Sequence, residues 1–135
     1  MKIVHIITDL DTGGAETMLH KLLASLRDEK LNSLVIVLMG RGAITKQIET
    51  LNVKVEMLDL VQGERPSWQT IKKLRQFMRA FNPDIVQGWM YHGNIAATVA
   101  VFLFDPMRRK VKLFWNVRQT LYDINSEKIQ TRWLI

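Results

Sequence analysis

Lys2-Ile3-Val4-His5-Ile6-Ile7-Thr8, followed by Asp9-Leu10-Asp11-Thr12-Gly13-Gly14-Ala15-Glu16, opens the chain. The first stretch is β-branched and almost continuously apolar, the pattern of a strand buried on both faces. The second is a short loop with paired glycines. Glycines let a backbone approach a ligand closely, and free N–H groups at a helix start suit an anionic group. Glu16 falls where it can reach back and cap that helix start. Neither the dinucleotide fingerprint G-x-G-x-x-G nor a Gly-Lys-Ser/Thr phosphate loop is present. The remaining alternatives are a tight strand-to-helix turn and a ligand-facing loop.

Downstream, short apolar runs alternate with segments of helical period. Met18, Leu19, Leu22, Leu23 and Leu26 have the spacing of a helix packed on a sheet. Leu34–Leu38 reads as a second buried strand, Ile44, Ile48 and Leu51 as a short helix, and Val53–Leu58 as a third strand. Gln62–Pro66 is turn-like, and Ser67 can cap the next helix. Its apolar stripe is Trp68, Ile71, Leu74, Phe77, Met78 and Phe81, and Asn82-Pro83-Asp84 stops it. A fourth strand begins at Ile85–Gln87, a buried helix covers Asn94–Phe104, and Val111–Asn116 is a fifth strand. The alternation predicts an α/β fold: a Rossmann-like, doubly wound parallel sheet in an α/β/α sandwich. Such sheets bind ligands outside the carboxyl ends of their strands. That directs attention to Asp9–Glu16, Gly88–Asn94 and Asn116–Tyr122.

Composition sets the outer limits. At 135 residues, 47% hydrophobic and 24% charged, the chain has room for one globular domain. Its longest apolar run, Ile95–Phe104, falls short of the roughly 18 residues of a membrane-spanning helix. The start is not a signal peptide, since Asp9 and Asp11 follow at once. No cysteine is present, which fits a reducing cytoplasm and excludes thiolate metal sites. The net charge of +6 is a moderate basic bias. The basic residues gather at Lys72, Lys73, Arg75 and Arg79, and at Arg108, Arg109, Lys110 and Lys112. Each cluster is either a solvated face or a contact for anionic headgroups; nucleic acid is disfavoured because no recognition motif accompanies the charge. At the far end, Ser126, Glu127, Lys128, Ile129, Arg132, Trp133 and Ile135 read as a capped helix that stops on Trp-Leu-Ile. Apolar residues left uncovered there suggest a chain that is cut or continues into a partner.

Four stretches together resemble one family. KIVHIITDLDTGGAETMLHKLLASL (2–26) is similar to the opening of family 4 glycosyltransferases of the GT-B fold. NPDIVQGWMYHGNIAA (82–97) resembles their fourth strand and its loop, and KLFWNVRQTL (112–121) with EKIQTRWLI (127–135) their fifth strand and the segment after it. The resemblance covers essentially the whole chain but only the first of the family's two domains. It implies the N-terminal, acceptor-side half of a retaining, metal-independent enzyme that takes a nucleotide sugar as donor and needs no cofactor. It further implies that Gly13 and Gly14 face the donor's diphosphate, and that Trp89, Tyr91, Asn94 and Asn116 rim the site of a sugar or lipid-linked acceptor.

His92 either hydrogen-bonds or exchanges a proton with the acceptor, or is a structural residue at a helix start. Arg118 stands where many relatives have histidine. Arginine stays protonated, so it would act as a charge clamp rather than a base, or simply pair with Asp123 or Glu127. The family's donor-binding domain carries two glutamates seven residues apart; Glu49 and Glu56 match only by count. Low or no activity is therefore expected of the chain alone, with peripheral contact at the inner face of a membrane as a further expectation. Two other readings stay open: a stand-alone module that recruits a separate donor-binding subunit, and an unrelated nucleotide-binding Rossmann domain.

Overall fold

A computed structural model describes residues 1–11, 13–27, 30–61, 63–107 and 110–117. Five strands and four helices alternate: β1 (Lys2–Ile7), α1 (Gly14–Ser25), β2 (Asn32–Val37), α2 (Ala43–Glu49), β3 (Lys54–Met57), α3 (Trp68–Phe81), β4 (Ile85–Trp89), α4 (Met90–Phe104) and β5 (Lys112–Asn116). All strand pairs are parallel, in the order β3-β2-β1-β4-β5. The order reverses at β1, and the predicted Rossmann-like sheet, consistent with the N-terminal half of a GT-B fold, is what forms.

Side chains alternate across the strands, and each face carries its own core. Ile7, Val35, Val37 and Trp89 join Leu19 and Leu23 of α1 and Ile44 and Ile48 of α2. On the opposite face Val4, Ile6, Leu34, Ile36 and Val86 meet Leu74 and Met78 of α3 and Ala97, Ala100 and Val101 of α4. Helices thus cover both faces, which explains why β1 and β2 lack the polar alternation of a half-exposed sheet.

Local signals account for several boundaries. Ser67 Oγ accepts the Thr70 N–H at 3.2 Å, the expected cap of α3. Asn82 ends that helix in the left-handed region (φ 55°, ψ 62°), which asparagine tolerates better than most residues. Asp84 then ties β4 to β1: its carboxylate accepts the Lys2 N–H at 2.9 Å, and its own N–H donates to the Lys2 carbonyl at 2.8 Å.

Two expectations need correction. Trp68, included in the α3 stripe, is 69% exposed, because the first turn of the helix overhangs the core. More consequentially, α4 starts at Met90 rather than Asn94, and no loop separates it from β4. Met90 makes the change of direction within one residue, at φ 63°. Gly93 and Gly88 permit it. A Cβ on Gly93 would lie 2.6 Å from the Ile6 carbonyl oxygen, and one on Gly88 would lie 2.5 Å from Asn94 Cα. The start of α4 therefore sits directly on the carboxyl ends of β1 and β4.

Candidate functional site at the carboxyl edge of the sheet

β1, β4 and β5 deliver their following residues to one edge. After β1 the chain folds inward at Leu10, which is fully buried, and Gly42 packs against the Leu10–Asp11 backbone so closely that a Cβ there would collide with it. The Ile44 N–H donates to the Leu10 carbonyl at 2.9 Å, anchoring the loop to the start of α2. Gly13 is the N-cap of α1 in an extended conformation, and no side chain caps the helix. Gly14, the first helical residue, is exposed, with open space where a side chain would stand.

The surroundings of this loop are acidic. The Asp9 carboxylate accepts the Asp11 N–H at 3.2 Å. The Glu16 carboxylate lies over Gly13, in the space a Cβ would need. It turns back as its position suggested, but accepts its own backbone N–H instead of capping Gly13. Burial, then a hydrogen bond to Asp9 and the charges of Asp9 and Asp11, push the Glu16 carboxyl above its ordinary range, against the pull of that N–H.

The α4 side presents different chemistry. His92 is exposed on the first turn. Asn94, 4% exposed, sits between β4 and β5: its Nδ2 approaches the Asn116 carbonyl at 3.5 Å, and its Oδ1 is buried with no hydrogen-bond partner among the described residues. Tyr91 is 9% exposed, and Trp89 is a core residue at 2%. The Trp89 indole N–H donates to His5 Nδ1 at 3.2 Å, so its ring is not on the acceptor rim and cannot stack on a ligand without leaving the core. Sequence marks Trp89 as an aromatic after a strand; it does not reveal that the strand runs through it.

Of the expected site residues, the structure brings Asn94 and Asn116 within 3.5 Å of each other and leaves His92 exposed on the first turn of α4. Gly13 and Gly14 lie at the end of the neighbouring strand. Arg118 falls outside the described residues, as do Arg108, Arg109, Asp123 and Glu127. Sequence reasoning gave no role to His5, Gly88 or Gly93. The glycines leave a signal only in retrospect, as small residues flanking the β4–α4 junction. Lys72, Arg75 and Arg79 are exposed along α3, whereas Lys73 lies 3.7 Å from the Asp59 carboxylate and over the Phe77 ring. Among the described residues no group of three or more His, Asp or Glu side chains could hold a metal ion, and no helix is long and apolar enough to cross a membrane.

No family profile matches the sequence, and no curated protein is significantly similar to it. Solved structures are similar in fold. The UDP-GlcNAc 2-epimerase of Methanocaldococcus jannaschii superposes with a TM-score of 0.62 at 13% identity, over 99% of this chain and 36% of that one. The UDP-GlcNAc 2-epimerase of Neisseria meningitidis, bound to UDP-GlcNAc, gives 0.58 at 18% identity, over 99% of this chain and 37% of that one. The chain thus spans little more than a third of the length of these proteins, and what it shares with them is a GT-B-like Rossmann fold.

Proposed function

We propose that this domain works in nucleotide-sugar chemistry, as the acceptor-binding half of a retaining glycosyltransferase built from two Rossmann-like domains. The observation that carries the reading is the pairing of two open helix starts at the switch in strand order, Gly14 on α1 and His92 on α4. Ligands of doubly wound sheets bind at such a switch. Asp9, Asp11 and Glu16 offer carboxyl oxygens to sugar hydroxyls, and His92 offers a ring nitrogen on the opposite side. The uncapped N–H groups at Gly13 and Gly14 would face the leaving diphosphate when a donor-binding domain closes over them. Arg118 would add charge to that clamp. The donor-binding domain would come from elsewhere, in the same polypeptide or as a separate subunit. Lys72, Arg75 and Arg79, with Lys73, would hold the domain near anionic lipid headgroups if the acceptor is lipid-linked.

The test is a comparison of binding and turnover by the 135-residue chain. Ligand-observed NMR should detect simple glycosides, with the signal lost in His92→Ala, while UDP-sugars should be neither transferred nor hydrolysed. Turnover of a UDP-sugar at ordinary enzyme rates would sink the half-enzyme reading. The likeness to UDP-GlcNAc 2-epimerases over nearly the whole chain favours one second reading, a domain that contacts the sugar of UDP-GlcNAc itself. In that case UDP-GlcNAc would show the ligand-observed contact and plain glycosides would not.

A further inference from the structure

α3 and α4 lie side by side on one face of the sheet, and neither contains an aspartate or a glutamate. Exposed on α3 are Trp68, Lys72, Arg75 and Arg79, which recur at i, i+4, i+7 and i+11. At about 100° per residue they fall within roughly 60° of one another, a single stripe along the helix. Lys72, Arg75 and Arg79 form no ion pair among the described residues; Lys73, on the opposite flank, reaches Asp59. α4 has no Lys or Arg either, and its outward side is apolar. Ile95, Val99 and Phe102, at i, i+4 and i+7, are 43%, 41% and 63% exposed, on the side away from the Ala97 and Val101 that pack on the sheet. His92, also exposed, continues that line one turn earlier. The two lines are neighbours. Both helices run the same way, and Thr98, on the flank of α4 that corresponds to the stripe's flank of α3, accepts the Trp115 indole N–H from β5. β5 lies beyond α4 as seen from α3, so the cationic stripe is on the flank of α3 that faces α4.

We propose that this face docks on an anionic membrane surface. Ile95, Val99 and Phe102 enter below the headgroups, Trp68 sits at their level, and Lys72, Arg75 and Arg79 meet the lipid phosphates. Uncompensated cations, an exposed tryptophan and an apolar ridge are together what a surface lying in the bilayer interface requires. A second copy of the chain would set like charges against each other, and nucleic acid would leave the apolar ridge without a partner. The proposal deepens the acceptor-half reading and rests on it in one respect, the choice of acceptor. Both helices begin at the carboxyl edge of the sheet, where the candidate site lies. Docking therefore holds His92 near headgroup level, where the sugar or phosphate of a membrane-anchored acceptor would stand.

Co-sedimentation of the 135-residue chain with vesicles tests this. The chain should bind mixed phosphatidylglycerol–phosphatidylcholine vesicles and not phosphatidylcholine alone. Lys72→Gln with Arg75→Gln and Arg79→Gln should weaken binding by on the order of 100-fold. Lys21→Gln with Lys30→Gln and Lys46→Gln removes the same charge from exposed positions outside α3 and α4 and should leave most of the binding. Phe102→Ser should weaken binding about tenfold with Tm unchanged. Equal losses in the two triple variants would reduce the effect to net charge and overturn the proposal. So would an absence of binding to the anionic vesicles, or a lowered Tm in Phe102→Ser, which would mean that protein covers the face. The acceptor reading fails separately: vesicle binding with no glycoside binding would remove that reading and leave docking standing, and glycoside binding with no vesicle binding would remove docking alone.

Discussion

Trp89 donates its indole N–H to His5 Nδ1 at 3.2 Å, joining the last residue of β4 to the middle of β1 inside the core that α1 and α2 cover. The bond fixes the histidine as neutral, with its proton on Nε2. Burial alone pushes the His5 pKa down to about 4. Nε2 finds no partner among the described residues, so the pair contributes less than a fully satisfied network would.

An acid-dependent loss of stability follows. His5 has a pKa of 6.5 unfolded and about 4 folded, so the unfolded chain binds the extra proton between those values. Its contribution is complete above pH 6.5 and drains away as pH falls towards 4, by about 3 kcal/mol in all. His5→Gln keeps a neutral acceptor for Trp89 and should flatten that limb in urea melts recorded from pH 7 to 4. A wild-type chain with no such limb would show that His5 is protonated when folded.

Trp89→Phe separates the structural role of this residue from any ligand role. It strands the His5 acceptor and opens a small void, at a cost of about 2–4 kcal/mol in chemical denaturation. Binding of glycosides by the fraction that remains folded should be unchanged. Loss of binding with little loss of stability would return Trp89 to the ligand rim.

The glycines should divide into two classes. Gly93→Ala drives a methyl group into the Ile6 carbonyl of the central strand and should cost about 2–4 kcal/mol. Gly14→Ala meets nothing, and a better helix former at that position should stabilise by up to about 1 kcal/mol. Thermal melts of the two variants give the contrast directly, and titration of Gly14→Ala with sugar reads whether the open space is used.

Glu16 carries the opposite sign to His5. Its folded pKa is raised, so the native state holds the extra proton, and stability falls as pH climbs from the ordinary carboxyl range through the raised value. Glu16→Gln removes that penalty. At pH 7 it should be more stable than the parent by a few tenths of a kcal/mol, the scale of partly exposed charges. The advantage should shrink in acid; an advantage that grows there would contradict a raised Glu16 carboxyl.

Sequence was most legible where burial dictates pattern. The β-branched runs at Ile3–Ile7 and Leu34–Val37 and the stripe through Leu74 and Met78 follow from two-faced burial and from helical period. What stayed hidden depends on contacts between distant segments. Nothing local announces that Met90 adopts a positive φ or that α4 begins there without a capping side chain, so residues expected in a loop are strand end and helix. His5 and Trp89 are 84 positions apart, and each looks ordinary until β1 and β4 pair. At the candidate site the glycine loop and His92 could be picked out by position, whereas the carboxyl of Glu16 over Gly13 required coordinates.

The strand order has a consequence for synthesis on the ribosome. β1, β2 and β3 can assemble as soon as residue 57 has emerged, but β1 keeps one bare edge until β4, beginning at Ile85, arrives beside it. During that interval the unpaired backbone of Ile3–Ile6 is a template for any strand that reaches it first, including one from a neighbouring nascent chain. The two bonds between Asp84 and Lys2 lie at the start of the β1–β4 pairing and would engage as β4 emerges. The nascent domain is therefore most open to misassembly after its third strand has formed and before its fourth has docked.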